Sequence, residues 1–200
     1  MIQQRAVQTR RRVLQAGAAE FARRGYAATT LTHITRTAGV TMGAITFHFA
    51  SKRALADAVC AQGHRITREA VAPGGGAGRG LQAVVDITHA LMLLLGENDL
   101  VRAASRLGGE VGDRNGWYGA WLPHLHAACV RAGREGALRA GVDPATVTVL
   151  AVGLVAAAET AALQAACAQA GTTTAAQLTR AWRTLLGAVA PPDGAPGLSP

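Results

Sequence analysis

The sequence predicts an all-α fold, and three observations carry that prediction. Half of the 200 residues are hydrophobic, with alanine the dominant type. β-Branched runs and strict apolar/polar alternation, the marks of strands, are few. Apolar positions instead recur at helical spacing between punctuation at Pro73, Gly96, Pro123, Gly141, Pro144 and Gly171. The length suffices for one large domain or two small ones.

Residues 4–24 predict a first helix, with Leu14, Gly17, Ala18, Phe21 and Ala22 on one buried face. Arg23 and Arg24 suit the negative end of its dipole, and Gly25 reads as a left-handed cap. Thr29 or Thr30 caps a second helix carrying Leu31, Ile34 and Ala38 inward. Gly39 permits a sharp turn, and Thr41 caps a short third helix with Ile45 inside. Ser51 caps a fourth, with Ala54, Leu55, Ala58 and Val59 as its apolar positions. PGGGAGRG at 73–80 breaks the pattern and reads as a flexible joint. It is a poor phosphate loop, because no GK[ST] follows and no strand precedes it. Helical patterns resume over about 81–95, 97–108, 117–135, 144–170 and 174–189, and the tail PPDGAPGLSP reads as disordered.

The formal charge of +8 is uneven. Residues 1–68 hold eleven basic and two acidic side chains, whereas the rest hold nine and ten. Basicity confined to the first third is the footprint of polyanion binding, with an ordinary solvated surface rich in arginine as the lesser alternative. No uninterrupted apolar run reaches the roughly 18 residues of a membrane span. Residues 144–170 come closest, but Thr146, Thr148, Glu159, Thr160, Gln164 and Gln169 interrupt them. With no secretory-type N-terminus, Cys60, Cys129 and Cys167 read as buried thiols of a cytoplasmic protein.

A short helix, a glycine-bearing turn and a second short helix form a helix-turn-helix. With Val40, Ile45 and Phe49 packed inward, Thr41, Met42, Gly43, Thr46, Phe47 and His48 face out toward a DNA groove. Gly43 allows close backbone approach, and Lys52 at the start of the Ser51 helix reads as a phosphate contact.

RRGYAATTLTHITRTAGVTMGAITFHFASKRALA closely resembles the DNA-binding domain of the tetracycline-repressor (TetR) family of bacterial transcription factors, over roughly residues 10–60. FHFASK, GAWLPHLHAACVRAG and AWRTLLGAV are most similar to the γ-butyrolactone receptors within it. The pI of 10.9 resembles the basic pseudo-receptors of that group. The resemblance implies a three-helix DNA-binding domain at residues 1–50, a helical ligand-binding and dimerisation domain at 51–190, and a flexible tail at 191–200. It implies DNA contacts at Thr30, Thr41, Met42, Gly43, Thr46, Phe47, His48 and Lys52. The expected partners are palindromic operator DNA, a small effector and a second copy of the chain, with no membrane. Two departures stand out: the family's usual lysine is Met42 here, and its usual tyrosine is Thr46. Both normally touch phosphate, which leaves Arg10, Arg11, Arg12 and Arg53 to compensate or the operator to differ.

The effector pocket is expected to draw on Trp121 and Trp117, with Thr160, Gln164 and His64 as polar candidates. Core packing is the competing reading of the tryptophans. Glu159 is the only charged side chain between Asp143 and Arg180, and it either lines the pocket or, as the favoured reading, faces solvent. His124 and His126 are two residues apart, do not share a helix face, and predict no metal site. His64 and His89 fit core roles equally well. No nucleophile–base spacing, metal set or cofactor motif points to catalysis, so no catalytic residue and no cofactor is expected. A ligand-responsive repressor leads. A ligand-independent DNA-binding regulator and an all-α small-molecule-binding protein are the alternatives.

Overall fold

A computed structural model describes residues 2–72, 78–110, 116–168 and 175–191. Among them, nine α-helices and one 3-10 turn account for the regular structure, and no strand occurs. The helices are α1 (Ile2–Ala28), α2 (Leu31–Ala38), α3 (Met42–His48), α4 (Lys52–Val71), α5 (Leu81–Glu97), α6 (Asp99–Glu110), α7 (Leu122–Arg134), α8 (Pro144–Ala168) and α9 (Ala175–Val189); the 3-10 turn is Tyr118–Ala120. The side chains of 163–168, the tail from 192 onward and the joint at 73–77 lie outside the described residues.

Capping chemistry sets the first boundaries. Thr30 accepts from the His33 amide while the His33 ring accepts from the Thr30 amide, a reciprocal cap on α2. Gly39 closes α2 in the left-handed conformation, φ 62° and ψ 42°. Thr41 and Ser51 each accept from the amide three residues on, at Ala44 and Ala54.

Gly25 departs from its expected role. Its φ of 78° is paired with a ψ of 179°, so it kinks α1, and helix resumes as far as Ala28. The carbonyls of Ala22 and Arg23 are capped instead by the Arg106 guanidinium, at 3.0 Å each. The Tyr26 amide donates to Glu110 at 2.7 Å. Arg23 and Arg24 both bond to the buried Glu20, at 2.9 Å. The expected helix over 117–135 is also broken. Pro123 has no amide to donate and fits only a first turn, so α7 begins at Leu122 and Trp117 lies before the 3-10 turn.

Two apolar clusters form the interior. The first joins Val13, Phe21, Ile34, Ile45 and Phe49 to Leu55 and Val59 of α4 and to Ala103 and Leu107 of α6. The second joins α5, α7, α8 and α9 around Trp117, Trp121 and Trp182. α4 thus contributes to both. Where α4 crosses α6, a side chain at Gly63 would fall 2.4 Å from the Leu100 carbonyl oxygen. By length and composition alone, Pro144–Ala162 of α8 is apolar enough to cross a membrane, with a mean hydropathy of 1.7.

Candidate DNA-facing and effector sites

Packing decides which side of α3 faces out. Ile45 and Phe49 are buried against α1 and α2, with Val40 half-buried beside them. Thr41, Met42, Gly43, Thr46 and Phe47 are exposed, and His48 is half-buried. Phe47 is 80% and Met42 42% exposed, high values for large apolar side chains. The Phe47 ring rests edge-on against His48, 5.0 Å between centroids. Thr30 is exposed one helix away, its hydroxyl serving as the α2 cap.

Cations lie on the neighbouring helices. Arg10 lies over the Phe49 ring at 4.9 Å, and Arg12 donates to the Ala38 carbonyl at 2.8 Å. Arg11 and Arg36 are exposed. Arg53, a candidate compensating cation, bonds to Asp57 at 2.8 Å. Lys52 differs from expectation. Its ammonium turns inward, donating to the Tyr26 and Thr29 carbonyls at 2.9 Å each and lying 4.2 Å over the Tyr26 ring. The Tyr26 carbonyl lies in the last turn of α1, where it also accepts from the Thr29 amide, and the Thr29 carbonyl lies between α1 and α2, so Lys52 ties the corner between the two helices instead of reaching outward.

Beneath that corner Glu20 is buried. Burial pushes its carboxyl up, but hydrogen bonds from Thr37, Arg23 and Arg24 outweigh it and hold the group below its ordinary value. The acid therefore stays ionised and fixes α2 on α1.

In the second cluster, Trp117, Tyr118 and Trp121 contact one another with ring centroids 5.1–5.8 Å apart. Trp117 donates its indole N–H to Thr67 of α4 at 2.8 Å, and the Thr67 hydroxyl donates to the Gly63 carbonyl. Tyr118 donates to Glu159 of α8 at 2.9 Å, and the other Glu159 oxygen accepts from Ser105 of α6. Burial, then the Glu159 charge, pushes the Tyr118 hydroxyl up to about 12. Trp121 is fully buried, yet among the described residues its indole N–H has no acceptor.

The polar side chains that bond to this aromatic cluster are Thr67 and Glu159. Thr160 is exposed and donates to the Ala156 carbonyl. His64 is half-buried on α4, and the Gln164 side chain lies outside the described residues. Glu159 is held by two hydroxyls instead of facing solvent. Thr67, Ser105 and Tyr118 carry no site signal in the sequence, because only tertiary packing reveals their partners. His89 bonds to the Val85 carbonyl and to Thr179, a core role. Among the described residues no group of three or more potential ligands could hold a metal ion. A separate cleft between α4, α5 and α7 is lined by Ala83, Ile87, His124 and Arg131.

Residues 13–59 match the family described as bacterial regulatory proteins, tetR family. The A-factor receptor protein of Streptomyces griseus is 37% identical over 123 residues, 60% of this chain and 42% of that protein. The chain thus spans less than half the length of that relative. A crystal structure of a γ-butyrolactone receptor, an ArpA-like protein, superposes with a TM-score of 0.78 at 28% identity, covering 96% of this chain and 92% of the other. TylP, a TetR regulator from Streptomyces fradiae, is 34% identical over 94% of this chain and 89% of its own, with a TM-score of 0.65. Sharing the TetR motif over α1–α4 and TylP's fold along almost its whole length, the chain belongs to the TetR family of bacterial regulators.

Proposed function

We propose that the protein is a homodimeric transcriptional repressor. It binds palindromic operator DNA through α2 and α3 and is released by a small signalling molecule of γ-butyrolactone, butenolide, furan or antibiotic-like chemistry. The observation that carries the effector half is the buried Trp121 indole N–H without an acceptor. A buried donor left unmade costs about 1–3 kcal/mol, and a lactone or furan oxygen would satisfy it. The DNA half is supported by the exposed outer face of α3 and the basic residues around it. The dimer is supported by α8, whose Val149 and Leu150 are exposed with Gly153 in the next turn, where a partner helix could approach closely.

Release of a bound promoter duplex by γ-butyrolactones, followed by gel shift, tests this reading. Trp121→Phe keeps an aromatic ring and deletes the donor. It is expected to fold, to bind DNA, and to need roughly two- to tenfold more ligand, the worth of one net hydrogen bond. Unchanged release with normal stability would leave Trp121 as packing alone.

A further inference from the structure

The outer face of α3 is unusual in what it lacks. Between Thr41 and His48 there is no Arg, Lys, Asn, Gln, Asp or Glu, so the bidentate pairs that read guanine or adenine edges are unavailable. The Thr46 hydroxyl donates back to its own helix, 3.3 Å from the Met42 carbonyl and 3.2 Å from that of Gly43. The Thr41 oxygen is engaged as the α3 cap. The face is instead occupied by Phe47 and Met42, exposed apolar side chains that belong to neither core cluster. Gly43 lies between them in the helix. A side chain there would meet only the Thr41 hydroxyl oxygen, at 4.0 Å, so the fold itself does not call for glycine. The surrounding arginines supply phosphate attraction but carry no sequence information.

Apolar side chains can read only one feature of the major groove, the C5-methyl group of thymine. We propose that Phe47 and Met42 select operator half-sites by their thymine methyl groups, with Gly43 providing the clearance that lets α3 sit close to them. This rests on the DNA-binding reading above and adds the base chemistry to it.

The test uses duplexes selected by the full-length protein from a randomised pool. Each thymine of the selected half-site is replaced by deoxyuridine, which removes the methyl group and keeps base pairing. Affinity should fall about fourfold for each contacted thymine, the value of one buried methyl group. Phe47→Ala or Met42→Ala should erase that difference at the thymine each side chain reads, while the salt dependence of binding stays as in the parent. Equal binding of thymine and deoxyuridine duplexes by the parent would overturn the methyl readout alone. So would full discrimination retained by both variants. Failure to enrich any duplex would overturn the DNA-binding reading beneath it.

Discussion

Gly63→Ala puts the crossing of α4 and α6 to a direct test. A methyl group at this position falls 2.4 Å from the Leu100 carbonyl oxygen and 2.6 Å from the Ala104 methyl group. Comfortable separation is about 3.5 Å, so the helices must part by roughly 1 Å. Both obstacles belong to a helix backbone or its first side-chain atom, and no rotamer change removes them. Overpacking of this kind costs about 1–3 kcal/mol, against a gain of up to about 1 kcal/mol from helix propensity. The net loss of about 1–2 kcal/mol should lower Tm by roughly 2–8 °C in a chain of this size. Gly43→Ala is the control, because open space surrounds it. That variant should unfold at or slightly above the parent temperature yet bind DNA less well. Thermal unfolding at a fixed protomer concentration reads both, since a dimer's Tm depends on concentration. A Gly63→Ala protein as stable as the parent would show that this contact does not set the helix crossing.

Three further outcomes are expected. Lys52→Ala removes two hydrogen bonds and a cation–π contact from the α1–α2 corner; Tm should fall by roughly 2–8 °C while the salt slope of DNA binding stays unchanged, whereas a slope lower by about one would return Lys52 to the phosphate backbone. The Tyr118 hydroxyl is pushed up to about 12 from its ordinary 10, so its contribution is complete below pH 10 and lost as the pH rises toward 12. Tyr118→Phe should therefore flatten the alkaline decline seen in unfolding scans across that window, and an identical decline in both proteins would refute the assignment. Val149→Asp or Leu150→Asp, on the exposed face of α8, should give monomers by light scattering that bind DNA weakly; a monomeric parent at micromolar concentration would remove the dimer reading.

What was legible in the sequence was local. Thr30, Gly39, Thr41 and Ser51 occupy the capping positions expected of them, because a cap bonds within three or four residues and its chemistry is written in the adjacent sequence. The inward set Ile34, Ala38, Ile45 and Phe49 followed from helical periodicity for the same reason. Most of the misreadings depend on distant partners. Gly25 looked like an ordinary cap, but Arg106 and Glu110, more than eighty residues away, decide how α1 ends. Lys52 looked outward-facing because the carbonyls that capture it lie 23 and 26 residues back. Glu159 looked isolated in a charge-free stretch, and its two hydroxyl partners lie 41 and 54 residues off. Pro123 was local evidence, and a start for α7 at Leu122 was readable from it.

The polar ties around Trp121 give the proposed effector response a physical route. Of the three clustered rings, Trp117 is bonded to α4 through Thr67 and Tyr118 to α8 through Glu159, while only the Trp121 donor is unclaimed among the described residues. In the proposed response a ligand accepting from Trp121 would displace the neighbouring rings, which are bonded to α4 and α8. α4 packs against the α1–α3 unit, and Glu159 also holds Ser105 on α6, whose Arg106 and Glu110 fasten the α1 kink. In the proposed response, movement at the tryptophans would reach the DNA-facing unit by two connected paths, through α4 directly and through α8 and α6. Coupling of this kind requires that the ligand favour one arrangement of these bonds over the other. Severing one path with Thr67→Val and the other with Glu159→Leu, singly and together, measures how much of the coupling each carries. Effector potency that falls further in the double variant than in either single one assigns both paths to the response. Potency unaltered in all three folded variants refutes the route.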